Sequence, residues 1–248
     1  MTFFHKFLIL EFLLFTGFLY SSDPVLFSDD LLKQQNLVDV QSLDSTIGVE
    51  LMYATTNNFL GKNVYGGLRK SYLRKEAADM LTNAQRILRQ KRPGYSLLVY
   101  DSLRPRRIQT QMWEIVKGTD KQQYVADPKG GSIHNYGAAV DLTIADENGK
   151  PLDMGTPFDY FGVKAQPRYE EYFLQPESLK KAGLSPKIRG QIEQDIRLSG
   201  PLSSQEISNR LLLRKVMMQA GFEPLVNEWW HFNAYPNEVV RKKYSIIE

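Results

Sequence analysis

The stretch Ser132-Ile-His-Asn-Tyr-Gly-Ala-Ala-Val-Asp-Leu-Thr-Ile144 joins a glycine-containing loop to an apolar strand. From Ala139 onward the side chains alternate between two faces, as in a β-strand. Asp141 therefore places a carboxylate on a largely apolar strand, where burial is costly unless the carboxylate is paired or binds a metal. His134 lies in the preceding loop, which could fold back beside Asp141. A histidine and an aspartate are an ordinary pair of zinc ligands.

The segments around this strand predict helices alternating with further strands. Helical periodicity runs over Arg74–Arg92 and Pro105–Lys117, and a capping box at Ser203–Glu206 begins a helix that ends near Ala220. Further strands are predicted at Leu37–Leu51, Tyr95–Tyr100 and Val226–Phe232. Residues 150–200 are rich in proline, glycine and charge, which predicts a long irregular insertion with short helices. The predicted fold is α+β: one domain, a central mainly antiparallel sheet and flanking helices.

Composition narrows the function classes. The chain has 248 residues, of which 42% are hydrophobic and 24% charged, as in an ordinary globular protein. The net charge of +3 comes without a prominent lysine and arginine block, so no nucleic-acid partner is predicted. The chain has no cysteine, which excludes disulfides, cysteine zinc sites and thiol catalysis. Any metal must therefore be bound by histidine or a carboxylate.

The N-terminus carries an apolar run, Phe7–Tyr20, directly after Lys6. This run is shorter than the roughly 20 residues that a transmembrane helix needs, but it suits a secretory signal. We therefore expect a signal peptide over residues 1–22, a mature domain over 23–248 without a membrane span, and export to the periplasm or cell envelope. The alternative for this run is an uncleaved amphipathic N-terminal helix or anchor, and the alternative location is the cytoplasm. His5 lies in this leader and is excluded from any site.

A second motif, Asn227-Glu-Trp-Trp-His-Phe232, places Glu228 three residues before His231 among large aromatic side chains. Beyond the leader, His134 and His231 are the only histidines, and each lies near an acidic residue. Two histidines and one carboxylate leave a fourth metal position for water, which is typical of a catalytic zinc site. A glutamate at this spacing could act as the general base.

A third motif, Tyr100-Asp-Ser-Leu-Arg-Pro105, lies where a predicted strand ends and a helix begins. Arg104 could supply fixed positive charge there, with Asp101 orienting it. Taken alone, the motif favours an exposed arginine at a helix entrance with an acidic partner.

Together the motifs Ser-x-His-x-x-Gly-x-Ala-x-Asp, Glu-x-Trp-His and Asp-x-x-Arg-Pro resemble the D-alanyl-D-alanine dipeptidase family. This family includes the dipeptidases of vancomycin resistance, within the zinc D-Ala-D-Ala peptidases. The resemblance extends to Asn58-Phe-x-Gly61 and covers roughly residues 37–235. It implies a role for seven side chains of this sequence. They are the zinc ligands His134, Asp141 and His231, the base Glu228, the transition-state arginine Arg104, and the supporting residues Asp101 and Ser132. Because a two-residue substrate needs a small, closed pocket, Trp229 and Trp230 are candidates for its walls.

The resemblance also implies an activity: one Zn²⁺ per chain, and hydrolysis of the small dipeptide D-Ala-D-Ala to two D-alanines in cell-wall peptide turnover. Two alternatives remain open at the level of sequence. A D,D- or L,D-carboxypeptidase acting on peptidoglycan stem peptides would use the same zinc site in an open groove. A non-catalytic zinc-bearing cell-wall binding domain would have the same fold without the base.

Overall fold

The computed structural model describes residues 28–167, Tyr169 and residues 185–248. The predicted signal peptide at residues 1–22 and its boundary lie outside this part of the chain. Among the described residues, no helix has both the length and the apolar character needed to cross a membrane.

Two sheets form the β-structure. The strands are β1 (Leu37–Asp39), β2 (Gly48–Val49), β3 (Tyr72–Arg74), β4 (Ser96–Asp101), β5 (Ala139–Ala145), β6 (Glu223–Pro224) and β7 (His231–Asn233). The central sheet has the order β2-β4-β5-β7-β6, while β1 and β3 form a separate antiparallel pair. In the central sheet only β2 and β4 are parallel, which confirms the predicted α+β fold with a mainly antiparallel sheet.

Helices surround this sheet. They are α1 (Asp29–Gln34), α2 (Val40–Leu43), α3 (Lys75–Lys91), α4 (Arg106–Val116), α5 (Pro186–Ser199), α6 (Ser204–Gln219) and α7 (Asn237–Lys243). Short 3-10 helices lie at Met52–Ala54, Asp120–Tyr124, Ile133–Tyr136 and Val163–Ala165. Helix α5 lies within the insertion that the composition predicts as irregular.

The main core lies between the central sheet and helices α3 and α6. The helical periodicity over Arg74–Arg92 predicts an apolar stripe on α3. This stripe is buried, and Leu81 and Leu88 are fully inaccessible to solvent. They pack in one cluster with Leu97 of β4 and Leu142 of β5. Burying a side chain of this size stabilises the fold by roughly 1.5–3 kcal/mol. All seven residues of β5 are buried, so the face that carries Asp141 is covered as well.

The prediction of a strand over Val226–Phe232 is wrong for most of its length. Strand β7 begins only at His231, and the residues before it form the loop of the β6–β7 hairpin. The Leu225 amide donates to the His231 carbonyl and closes this loop, while Val226 remains 50% exposed. Trp229 and Trp230 are buried although they belong to a loop and not to a strand. The same loop carries Glu228.

Candidate active site

His134, Asp141 and His231 converge on one point inside the protein. The Nε2 atom of His134 lies 3.1 Å from Nδ1 of His231, and Oδ1 of Asp141 lies 2.9 Å from that Nδ1. The third side of this triangle, from His134 Nε2 to Asp141 Oδ1, is 3.3 Å. All three residues are buried. Asp141 of β5 pairs directly with His231 of β7, so the sheet register sets their separation.

The outer nitrogens of the two rings are held by hydrogen-bond acceptors. Nδ1 of His134 lies 2.7 Å from the carbonyl of Ser102, and Nε2 of His231 lies 2.9 Å from Oδ1 of Asn233. Each outer nitrogen therefore carries the proton and donates it, which leaves the lone pairs of the inner nitrogens facing the Asp141 carboxylate.

Three electron-pair donors facing one point need a cation between them. A tetrahedral zinc site with bonds of about 2.0–2.1 Å places its ligand atoms about 3.3 Å apart, close to the observed triangle. Burial lowers the pKa of His231, but the hydrogen bond with Asp141 outweighs it and raises the pKa to about 9, so this point of the structure favours a positive charge. These side chains thus fit a divalent metal in both geometry and donor type.

The loop that carries His134 is tied to the loop that carries Arg104. Ser132 caps the short 3-10 helix, since its hydroxyl accepts from the His134 amide. The Asn135 side chain donates to the Arg104 carbonyl at 2.7 Å, and the Arg104 amide donates to the His134 carbonyl at 3.1 Å. Ser132 also lines the same cavity as His134, Asp141 and His231.

The side chains of His134, Asp141 and His231 are here called the ligand triangle. A network of buried hydrogen bonds fixes Arg104 beside it. Its Nη2 and Nε donate to Asp101 Oδ2 at 2.5 and 3.0 Å, and its Nη1 donates to Gln109 at 3.0 Å. The hydroxyl of Tyr65 donates to the other oxygen of Asp101 at 2.5 Å. Burial lowers the pKa of Arg104, but Asp101 raises it well above its ordinary value, so the side chain stays charged. Its Nη2 lies 4.0 Å from Asp141 Oδ2.

Glu228 reaches the ligand triangle from the β6–β7 hairpin loop. Its Oε2 lies 3.9 Å from Nδ1 of His231. Burial raises the pKa of Glu228, His231 opposes this, and the negative charge of Asp141 adds to the rise. A carboxylate at this position is placed to accept a proton and to return it.

The two tryptophans occupy different places. Trp230 lines the site cavity, and its ring centroid lies 5.4 Å from that of Phe158. Trp229 instead lines a neighbouring cavity, and its Nε1 donates to Thr156 Oγ1 at 2.8 Å. Of the predicted pocket residues, only Trp230 is therefore brought to the wall of the site.

The site also contains Asp159 and Tyr53, which the sequence motifs did not indicate. Asp159 lines the same cavity of about 300 Å³, and the Tyr53 hydroxyl donates to its Oδ1 at 3.0 Å. The guanidinium carbon of Arg104 lies 5.1 Å from the Tyr53 ring centroid. Burial raises the pKa of Asp159 to about 8, although the bond from Tyr53 lowers it. In the sequence, Asp159 could have been recognised as a candidate site residue because it lies inside the aromatic run Phe158-Asp-Tyr-Phe161.

Comparison with known proteins places this chain in a family. The model of the D-ala-D-ala dipeptidase family, peptidase M15, matches residues 33–182 and 197–247. The chain belongs to the D-ala-D-ala dipeptidase family. It is therefore an enzyme, a peptidase, and its buried His134, Asp141 and His231 could bind a metal ion.

Individual members of this family align over most of the chain. A D-alanyl-D-alanine dipeptidase of Escherichia coli (strain K12) is 32% identical over 196 residues, covering 79% of this chain and 83% of the relative. One of Enterococcus faecium is 27% identical over 206 residues, covering 75% and 86%. One of Synechocystis sp. is 28% identical over 195 residues, covering 68% and 71%.

The raised pKa of Asp159 predicts a pH-dependent stability effect in the metal-free protein. Its folded-state pKa of about 8 exceeds the ordinary value of 3.8, so the carboxyl increasingly destabilises the fold as pH rises through this window. Asp159→Asn lacks this ionisation. We expect the variant to gain stability relative to wild type between about pH 5 and pH 8. Urea denaturation of both EDTA-treated proteins at the two pH values measures this; equal pH dependence would contradict it.

Proposed function

We propose that the protein hydrolyses the dipeptide D-alanyl-D-alanine to two D-alanines, using one zinc ion bound by His134, Asp141 and His231. One observation carries the proposal: three buried electron-pair donors meet in a small cavity, between a carboxyl with a raised pKa and a fixed guanidinium. The family relatives are themselves named D-alanyl-D-alanine dipeptidases.

The donor set supports zinc. Two imidazole nitrogens and one carboxylate oxygen form a three-ligand set of the kind that leaves zinc one open position for chemistry. When bound, zinc supplies Lewis acidity, which lowers the pKa of water toward about 7 and polarises a carbonyl.

Glu228 is placed to move protons. It accepts one from the water that attacks the peptide carbonyl and returns one to the leaving amino nitrogen. Its position beside His231 brings it to the reacting atoms. The proton that Glu228 takes from water is thus the one that the leaving nitrogen needs to become an amine.

Arg104 is placed to stabilise negative charge on the carbonyl oxygen. Asp101 and Gln109 fix the guanidinium before substrate binds, so little reorganisation is needed when the charge develops. Removing such a preorganised donor typically costs roughly 100- to 1,000-fold in rate.

Asp159 is placed to bind the α-ammonium of the dipeptide. It is a second carboxyl in the cavity wall, separate from the ligand triangle and from Glu228. An incoming ammonium favours its ionised form, because an opposite charge nearby stabilises a buried carboxylate. A free amino terminus next to the scissile bond is what distinguishes a dipeptide from the end of a longer peptide.

One observation favours a second candidate, the carboxypeptidase. A neighbouring cavity of about 530 Å³ shares Glu228, Trp230 and Phe161 with the site cavity, and it could receive a longer chain. Asp159 favours the dipeptidase, because a stem peptide has no α-ammonium at that position.

A substrate comparison separates these two activities. We expect rapid release of D-alanine from D-Ala-D-Ala and little release from a pentapeptide ending in the same two residues. The physical reason is that only the dipeptide offers Asp159 a positive charge. Steady-state assays of D-alanine release with both substrates measure this. Faster cleavage of the pentapeptide would favour the carboxypeptidase, and no cleavage of either would favour the binding domain.

The proposed cellular setting is cell-wall peptide turnover after export, with residues 1–22 as the signal peptide and residues 23–248 as the mature domain. The apolar run after Lys6 supports this. We expect protein recovered from its native host to begin near residue 23. Mass spectrometry of the N-terminus measures it, and an intact leader in a cytoplasmic fraction would contradict export.

Glu228→Gln tests the proton-transfer role. The amide has nearly the same size and still hydrogen-bonds, but it cannot accept the proton from water. We expect turnover of D-Ala-D-Ala to fall by roughly 100- to 10,000-fold while zinc content stays constant.

Arg104→Lys tests the role of the guanidinium. It retains the charge but loses the planar fork, so we expect a smaller loss of activity than in Glu228→Gln, mainly in kcat.

The control for Glu228→Gln is Glu223→Gln, since Glu223 is exposed on β6. The measurement is steady-state kinetics together with metal analysis of each variant. Near-wild-type turnover in Glu228→Gln would remove its assigned role.

A further inference from the structure

The segment from Met154 to Lys164, here called the Asp159 loop, is held at both ends by one side chain. Arg210 of α6 donates from Nε to the Met154 carbonyl at 2.6 Å and from Nη1 to the Lys164 carbonyl at 2.8 Å. Arg210 is only 2% exposed. A single buried guanidinium thus fixes the distance between the two ends of the loop that carries Asp159 into the site.

The same guanidinium also contacts the segment before His231. Its Nη2 lies 3.4 Å from Thr156 Oγ1, the atom that accepts the hydrogen bond from Trp229 Nε1. Its central carbon lies 5.9 Å from the Trp229 ring centroid. Next to Arg210 on α6, Asn209 donates to the Asp153 carbonyl at 2.7 Å. Helix α6 therefore anchors the base of the Asp159 loop at several points.

An arginine is a costly choice for holding a loop by packing alone. Burying a charged group requires compensating hydrogen bonds, and apolar side chains of similar volume often stabilise a core better. What arginine offers is a planar fork that bonds several acceptors in fixed relative positions. The fork of Arg210 holds the Met154 and Lys164 carbonyls in fixed relative positions.

The tip of the loop needs such support. Asp159 has a φ of +61°, which is uncommon for a residue other than glycine and persists only when the surroundings hold it. The Tyr53 hydroxyl holds the Asp159 carboxyl, while Arg210 holds the ends of the loop. With the ends released, Asp159 can relax away from the cavity.

We propose that Arg210 is a positioning residue, which fixes the Asp159 loop so that the Asp159 carboxylate receives the α-ammonium of the dipeptide. This inference rests on the function proposed above. Arg210 acts through Asp159, and it touches neither the ligand triangle nor Glu228. Its loss should therefore weaken substrate binding more than the chemical step.

A double-mutant cycle on the zinc-loaded enzyme tests this inference with Arg210→Lys, Asp159→Asn and the combined variant. We expect Asp159→Asn to raise the KM for D-Ala-D-Ala by roughly tenfold or more, since it removes a charged partner. Arg210→Lys should raise KM by roughly three- to thirtyfold with kcat little changed. The combined variant should be no worse than Asp159→Asn alone, because both changes disable the same contact.

Arg86→Lys is the matched control. Arg86 is an exposed helix residue bonded to Asn83, so wild-type kinetics are expected. Circular dichroism and metal analysis establish that each variant is folded and loaded. If Arg210→Lys does not fold, Thr156→Val takes its place in the cycle, and the same rise in KM and the same lack of additivity are expected.

The outcomes separate the two proposals. An unchanged KM in the folded Arg210 or Thr156 variant, or effects that add fully in the combined variant, would overturn the positioning role alone. An unchanged KM in Asp159→Asn would remove the ammonium site and this inference with it. No turnover of D-Ala-D-Ala by the wild-type enzyme would contradict the proposed function itself.

Discussion

The pairing of β5 with β7 is the constraint on which the rest of the site depends. It places Asp141 directly opposite His231, and the third donor, His134, arrives from the loop that leads into β5. Three electron-pair donors within 3.3 Å of one another repel unless a positive charge lies between them. A one-residue shift of register would turn Asp141 to the opposite face of the sheet and separate the set.

Much of the surrounding structure preserves this arrangement. The Ser102 carbonyl and the Asn233 side chain orient the two rings, while Asn135 joins the His134 loop to the backbone of Arg104. Such outer contacts fix the tautomer and direction of the ligands, which is as necessary for metal binding as the ligands themselves. These contacts are needed because the site concentrates buried charged groups, and an unpaired charge that is buried costs free energy of folding.

The sequence predicted most of the regular elements for physical reasons, and it pointed to three side chains that the structure brings together. The stripe on α3 and the alternation along β5 are local consequences of burial, so periodicity reveals them. Beyond the leader the sequence has two histidines, and each lies near an acidic residue, which indicated a possible metal site. The strand over Val226–Phe232 was wrong, since hydrophobicity alone does not distinguish a strand from a hairpin loop with buried tryptophans. Asp159 was missed because its place in the cavity depends on Arg210 and Tyr53, which lie far from it in sequence.

Metal binding by the three converging side chains is the central claim, and the zinc content of His134→Ala tests it most directly. Purified wild-type protein and the variant are each incubated with zinc, dialysed, and analysed by elemental mass spectrometry. Asp146→Ala, at an exposed turn after β5, serves as the control. The expected result is one zinc per chain in wild type and in the control, with nearly complete loss in His134→Ala. Full zinc occupancy in the folded His134→Ala protein would contradict the account.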